Sequence, residues 1–176
     1  ALGASTPFDV TERGALQQAY AGCLAPALPP RVAARELETL GRALGWSGEQ
    51  LRTPTVRQNE GPGNALMATL AHEHVSEVVT AFGEKSVSAE RVANSVVKEV
   101  QAFSANIGAL GPHLADQWML PLALAITQSK GQAAFTCTEM TEHATTNIGV
   151  IEAFVPVRFA VTEETAHWRV SVAARM

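Results

Sequence analysis

Segments that read as strands and segments that read as helices alternate along this chain, which predicts a mixed α/β (α+β) fold. Two periodicities carry that reading. Apolar residues recur at helical spacing in "RVAARELETLGRAL" and "SAERVANSVVKEVQAFSAN", whereas short β-prone runs elsewhere are closed off by Gly, Pro and Asn. Composition is the third observation: 176 residues that are 47% hydrophobic and 17% charged can bury a core in one or two globular domains and are too apolar for disorder.

After a turn-like start containing Pro7, "ALQQAYAGCL" (15–24) reads as a strand that "APALPP" (25–30) ends. Ala33, Leu37, Leu40 and Leu44 then fall on one helical stripe, with Pro30 suited to the helix entry and Gly45 to its stop. "LRTPTVRQ" (51–58) reads as a strand, at an edge because of Pro54, and "NEGPGN" (59–64) as a tight turn. "ALMATLAHEH" (65–74) and "VSEVVTAFG" (75–83) are two more strands. Ser88 is a good N-cap for the next helix, Glu90 suits its first turn, and Val92, Val96, Val100 and Phe103 form its stripe. "NIGALG" (106–111) is the candidate boundary between two packing units. "PHLADQWMLPLALAI" (112–126) reads as a largely buried helix that Pro121 bends or limits. A strand in "GQAAFTC" (131–137), a helix over 148–154, and strands in "VPVRFAVT" and "HWRVSVAA" complete the chain.

The net charge of −4 and pI near 5.7 argue against sequence-independent gripping of a nucleic-acid backbone, while leaving room for a narrow site for one polynucleotide end. Cys23 and Cys137 have no CxxC spacing, so neither a disulfide framework nor a zinc site is signalled, and a reducing cytosol fits best. No apolar run is long enough to span a bilayer, and the first residues lack the order of a signal peptide, so the expectation is a soluble, cytoplasmic protein with no membrane partner.

Four groups of side chains invite a chemical reading. His72 and His74 would share a face if "HEH" lay in a strand, but with no third ligand evident the reading is exposed histidines beside a turn. "GPGN" (61–64) lacks the GK[ST] ending and the GxGxxG pattern of phosphate-cradling loops, so it reads as a turn. His113, Asp116 and Gln117 lie at i, i+3 and i+4 on one helix face, where simple capping by an acid near a helix start competes with a binding role. His143, among three threonines in "EMTEHATTNIGVIEAF", sits where a strand hands over to a helix; taken by itself it is more often structural, although helix starts attract phosphates.

The segments "EGPGN", "GEKSVSAERVANSVVKEV", "LADQWMLPLALA", "FTCTEMTEHATTNIGVIEAFVPVRF" and "WRVSV" occur in the order and spacing of RNA 3'-terminal phosphate cyclases. The chain resembles that family from roughly Phe8 to Val172, and it looks like only the C-terminal half, since members are about twice as long; the absent initiator Met fits a piece of a longer protein. The resemblance implies a tail of the large domain over 1–11, a smaller inserted α/β domain over 12–106, and over 107–176 the last of the repeated units, each a four-stranded sheet with two helices. It also implies the reaction: with ATP and a divalent metal (Mg or Mn), an RNA 3'-phosphate becomes a 2',3'-cyclic phosphodiester through an adenylylated histidine. His143, in "HATTN", matches the family's nucleophile, and Asp116 and Gln117 match the "ADQ" of its nucleotide pocket. Asp116 then either orients His143 or holds a metal. His113 stands where a tyrosine is expected and becomes the group to stack on adenine. The implied partners are an RNA 3'-phosphate end and the other half of the cyclase fold, with oligomeric state left open. Two other classes remain: a non-catalytic relative acting in RNA processing, which would lack the histidine, and a stand-alone α/β binding module.

Overall fold

The computed structural model describes residues 8–55 and 61–175. The chain divides into two compact units, Ala15–Ser104 and the sequence on either side of it, joined at Gly14 and Ala105.

In the first unit, β1 (Leu16–Leu24), β2 (Leu51–Arg52), β3 (Ala65–His72) and β4 (Ser76–Phe82) form a sheet in the order β2-β1-β3-β4. β1 and β2 are parallel; the other pairs are antiparallel. The helices α1 (Pro30–Leu44) and α2 (Ala89–Ala105) cover one side of it. Every second strand residue points into that interface, as a pleated strand requires: Ala21 and Cys23, Leu66, Ala68 and Leu70, and Val79 are buried there. They meet Ala33, Leu37 and Leu40 of α1 and Val92, Val96, Val100 and Phe103 of α2, the two stripes anticipated from helical spacing. Pro30 opens α1, and Gly45, with φ of 71°, closes it in the left-handed conformation that a side chain would oppose.

The anticipated edge strand contracts to the two residues of β2: 53–55 have no regular structure, and 56–58 lie outside the described residues, as do 59–60 of the "NEGPGN" turn. Pro54 supplies no N–H for a ladder, so pairing stops before it.

One carboxyl group sits inside this apolar layer. Glu36 of α1 is 1% exposed. Its Oε2 accepts the Cys23 thiol at 3.2 Å, and its Oε1 accepts the Asn64 amide. Burial pushes the Glu36 carboxyl up from its ordinary value of 4.5, with the two hydrogen bonds pulling the other way. Burial, followed by the neighbouring carboxyl, pushes the Cys23 thiol up to about 12, so Cys23 serves as a donor rather than a nucleophile.

The second unit holds a sheet of β5 (Gln132–Cys137), β6 (Val157–Glu163) and β7 (Trp168–Ala174) in the order β5-β7-β6, all antiparallel, with α3 (Pro112–Ser129) and α4 (Glu142–Phe154). Along the free edge of β5, Val10 and Leu110 make isolated parallel bridges in place of a continuous fourth strand. Val10 N–H donates to Ala134 O at 2.9 Å and Leu110 N–H to Thr136 O at 3.0 Å. That close approach requires Gly108, because a methyl group there would collide with the Cys137 carbonyl. Phe135, Val157, Val170 and Val172 of the sheet, Met119 and Ile126 of α3 and Ile151 of α4 are buried.

Two helix boundaries differ from those read in the sequence. α3 runs through Pro121 to Ser129, and α4 begins at Glu142 rather than Ile148. Thr141 caps α4, its hydroxyl accepting Ala144 N–H at 3.0 Å. The β-branched Thr145 and Thr146 have weak helix preference, which hides this first turn from a propensity reading.

Glu36 makes stability depend on pH. Below about 4.5 it is protonated in folded and unfolded chains alike. As pH rises through that value toward its raised folded pKa, the unfolded chain releases its proton first, so stability falls and then levels off. Glu36→Gln should flatten this decline; urea unfolding of both proteins at several pH values checks it, and an unchanged slope would count against a buried acid.

Candidate active site

The first turn of α4 and the second turn of α3 bring two of the four candidate residues into contact. His143 Nδ1 lies 3.0 Å from Asp116 Oδ2. The other carboxylate oxygen, Oδ1, accepts the Asn147 amide at 2.9 Å, and the Asp116 carbonyl accepts the same amide at 3.4 Å. Asn147 follows His143 by four positions, so helical geometry presents both to α3. Asp116 thereby has a donor on each oxygen.

This arrangement assigns the histidine's tautomer. A carboxylate oxygen only accepts, so Nδ1 carries the proton and the Nε2 lone pair is left for chemistry. The His143 side chain is 83% exposed while that of Asp116 is 20% exposed, so the acid is sheltered and the imidazole reaches outward. At the start of α4, Thr141 engages the N–H groups of Ala144 and Thr145. Those of Glu142 and His143 remain at the positive end of the helix, a setting suited to an anionic phosphate.

The other two candidates stand apart from this contact. His113 and Gln117 are exposed on α3, and no hydrogen bond joins either to His143 or Asp116. Cys137, at the end of β5, is buried and its thiol is pushed up to about 11 by that burial, which removes it as a nucleophile. The paired-histidine reading of "HEH" also meets its geometry. β3 ends at His72, whose ring packs edge-on against Phe103 at 5.9 Å, and His74 lies beyond the strand. Among the described residues no three His, Cys, Asp or Glu side chains gather as a metal site.

Asn147 is the site residue to which the sequence reading gave no role. The signal was available: it belongs to the same "HATTN" run, one helical turn after His143. What periodicity does not show is the carboxylate it meets, which lies on another helix.

Residues 11–105 match the family model described as the RNA 3'-terminal phosphate cyclase (RTC) insert domain. The chain belongs to the RNA 3'-terminal phosphate cyclase family. Curated relatives carrying the cyclase name extend the match beyond the insert. One from Koribacter versatilis is 39% identical over 168 residues, covering 96% of this chain and 46% of the relative. A Pseudomonas fluorescens protein is 41% identical over 86% of this chain and 43% of its own length. A Ralstonia nicotianae protein is 41% identical over 89% and 43%. The chain thus spans about half the length of the cyclases it matches. The His143–Asp116 pair lies outside the segment matched by the insert-domain model.

The tautomer assignment can be tested directly. In ¹⁵N spectra of the imidazole, His143 should show Nδ1–H in the native protein, and Asp116→Ala should return it to the mixture of a free imidazole. Identical spectra would mean that Asp116 does not set the tautomer.

Proposed function

We propose that this chain supplies the nucleophile-bearing part of an RNA 3'-terminal phosphate cyclase, which converts an RNA 3'-phosphate to a 2',3'-cyclic phosphodiester at the expense of ATP. The observation that supports this reading is the Asp116–His143–Asn147 constellation at a helix start, within a chain of this family.

In this mechanism Nε2 of His143 attacks the α-phosphorus of ATP and pyrophosphate departs. The imidazole gains positive charge as the N–P bond forms while Nδ1–H stays in place, and Asp116 stabilises that charge through the hydrogen bond it already makes. Asn147 holds Asp116 in position by occupying its second oxygen. The N–H groups at the start of α4 bind phosphate oxygens. The RNA 3'-phosphate then takes AMP from His143, restoring the neutral imidazole, and the neighbouring 2'-hydroxyl displaces AMP as the ring closes. His113, Asp116 and Gln117 form the nucleotide-binding side, with His113 stacking on adenine and Gln117 hydrogen-bonding nearby.

A divalent metal, Mg or Mn, belongs to this reading, where it neutralises phosphate charge. Asp116 already has a donor on each oxygen, so the described residues present no ready ligand set, and no step above depends on the ion. The part of the cyclase fold that this chain does not span supplies the remaining contacts to ATP and RNA. A cytoplasmic setting accords with two buried free cysteines, and no helix among the described residues is long and apolar enough to cross a membrane.

The test uses a full-length protein in which the part of a cyclase relative preceding the match is fused to this chain. With radiolabelled ATP, the fused protein should carry an acid-labile AMP adduct at His143. His143→Asn should abolish that adduct while closure of RNA already activated with AMP persists, and Asp116→Asn should slow adduct formation roughly a hundredfold. Normal labelling of His143→Asn, or an adduct mapped to a lysine or to His113, would overturn the assignment.

A further inference from the structure

The sheet of the first unit has helices on one side only. Its other side is built from the alternate residues of the same strands, and the pairing registers place them in rows. Tyr20, Thr69 and Val78 form one row; Gly22, Met67 and Thr80 the next; Leu24, Ala65 and Phe82 the third. Val78 and Phe82, the latter 71% exposed, both lie on this one face of β4. At the opposite edge, the Arg52 guanidinium lies 3.8 Å from the centre of the Tyr20 ring.

The chemistry of this face is selective. Arg52 is its one charged side chain among the strand residues described; Glu77, the acid of β4, points into the core and is 4% exposed. Hydroxyls of Thr69, Thr80 and Ser76 and the amide of Gln18 supply the remaining polarity. Beside Phe82, an open cavity of about 380 Å³ is bordered by Leu24, Pro26, Asn64 and Gly83. An exposed ring next to a cavity edged by a side-chain amide suits a flat, hydrogen-bonding group. A guanidinium stacked on a tyrosine suits a second such group together with a phosphate. The rows and strand spacings put the two aromatic stations on the order of 15 Å apart, enough for a short run of extended nucleotides.

We propose that this open sheet face is a platform for single-stranded RNA, stacking bases on Phe82 and on the Tyr20–Arg52 pair. Stacking on aromatic rings tolerates any base, and four-stranded sheets with one open face are suited to it. A face whose described strand residues carry one cation and no carboxylate also fits a chain of net charge −4, which cannot grip RNA by overall charge. The choice of RNA over another single strand rests on the cyclase reading, and the platform deepens that reading by giving the first unit a surface that recognises RNA bases.

The test uses the 176-residue chain without ATP and a fluorescent twelve-nucleotide single-stranded RNA ending in a 3'-hydroxyl, so adenylylation plays no part in the signal. Fluorescence anisotropy at low salt should show binding that Phe82→Ala weakens about tenfold and Tyr20→Leu by a similar factor, the scale of losing one stacked base. Arg52→Gln should weaken binding and reduce its salt dependence. Phe154→Ala, which removes an equally prominent exposed ring from the other unit, should leave binding unchanged. Ultraviolet crosslinks should map to β1 and β4. Absence of RNA binding, equal effects of Phe82→Ala and Phe154→Ala, or crosslinks elsewhere would overturn the platform. So would a chain that dimerises through this face in light scattering and loses the dimer with Phe82→Ala, which would make the face a protein interface. Because the adduct assay contains no RNA and this assay contains no ATP, either reading can fail while the other stands.

Discussion

Asp116 ties the two helices of the second unit together. One carboxylate accepts two donors from α4, the imidazole of His143 and the amide of Asn147, while belonging to α3. The contact does several things at once. It fixes which imidazole nitrogen holds the proton, turns the other outward, and sets the rotation of α4 relative to α3 through two residues one turn apart. The sheet contributes indirectly: Ala115 and Met119 of α3 and Ala144 and Ile151 of α4 are buried, so the residues beside them in sequence emerge where the helices can exchange polar contacts.

The two units use the same layered plan to different ends. In the first, both helices are strongly amphipathic, and their stripes close over one sheet face so fully that even Glu36 is enclosed and must be satisfied by Cys23 and Asn64. Its opposite face is left with alternating polar and apolar side chains, which is what makes it usable as a surface. In the second unit, α3 and α4 are apolar over much of their circumference, and Leu120, Leu124, Val150 and Phe154 are exposed at helical intervals. Polar function is therefore confined to the opening turns of these helices, where caps and unpaired N–H groups occur.

The legibility of the sequence followed the same physics. The α1 and α2 stripes were readable because sharp amphipathicity gives a clear 3.6-residue period, and the strands around them because β-prone runs were bounded by Gly and Pro. The start of α4 is hidden in the sequence because Thr145 and Thr146 in its opening turns have weak helix preference, and the Thr141 cap becomes informative only once the helix is known to start there. Among the described residues β2 stops at Arg52: a β-prone run does not report how many of its residues find a partner strand, and Pro54 ends the ladder here. The site showed the same divide. His113, Asp116 and Gln117 were recognisable as a helix face, yet only Asp116 meets His143, across 27 positions, and no local periodicity encodes such a pairing. Resemblance to a family supplies that pairing, and Asn147 gives no local signal because its partner is equally remote in sequence.

The exposure of the site bears on what the Asp116–His143 contact is for. With the imidazole 83% exposed, water competes for the hydrogen bond, which therefore adds little to stability. Its consequence is directional instead: it selects a tautomer and a ring orientation. Asp116, at 20% exposure and with both oxygens engaged, is the more constrained partner, so the geometry is imposed by the carboxylate and followed by the histidine. An imidazole held in this way leaves Nε2 free of the core beneath it, since nothing buried depends on that nitrogen. The fold therefore anchors α4 through Ala144 and Ile151 while leaving the His143 imidazole exposed at the helix start.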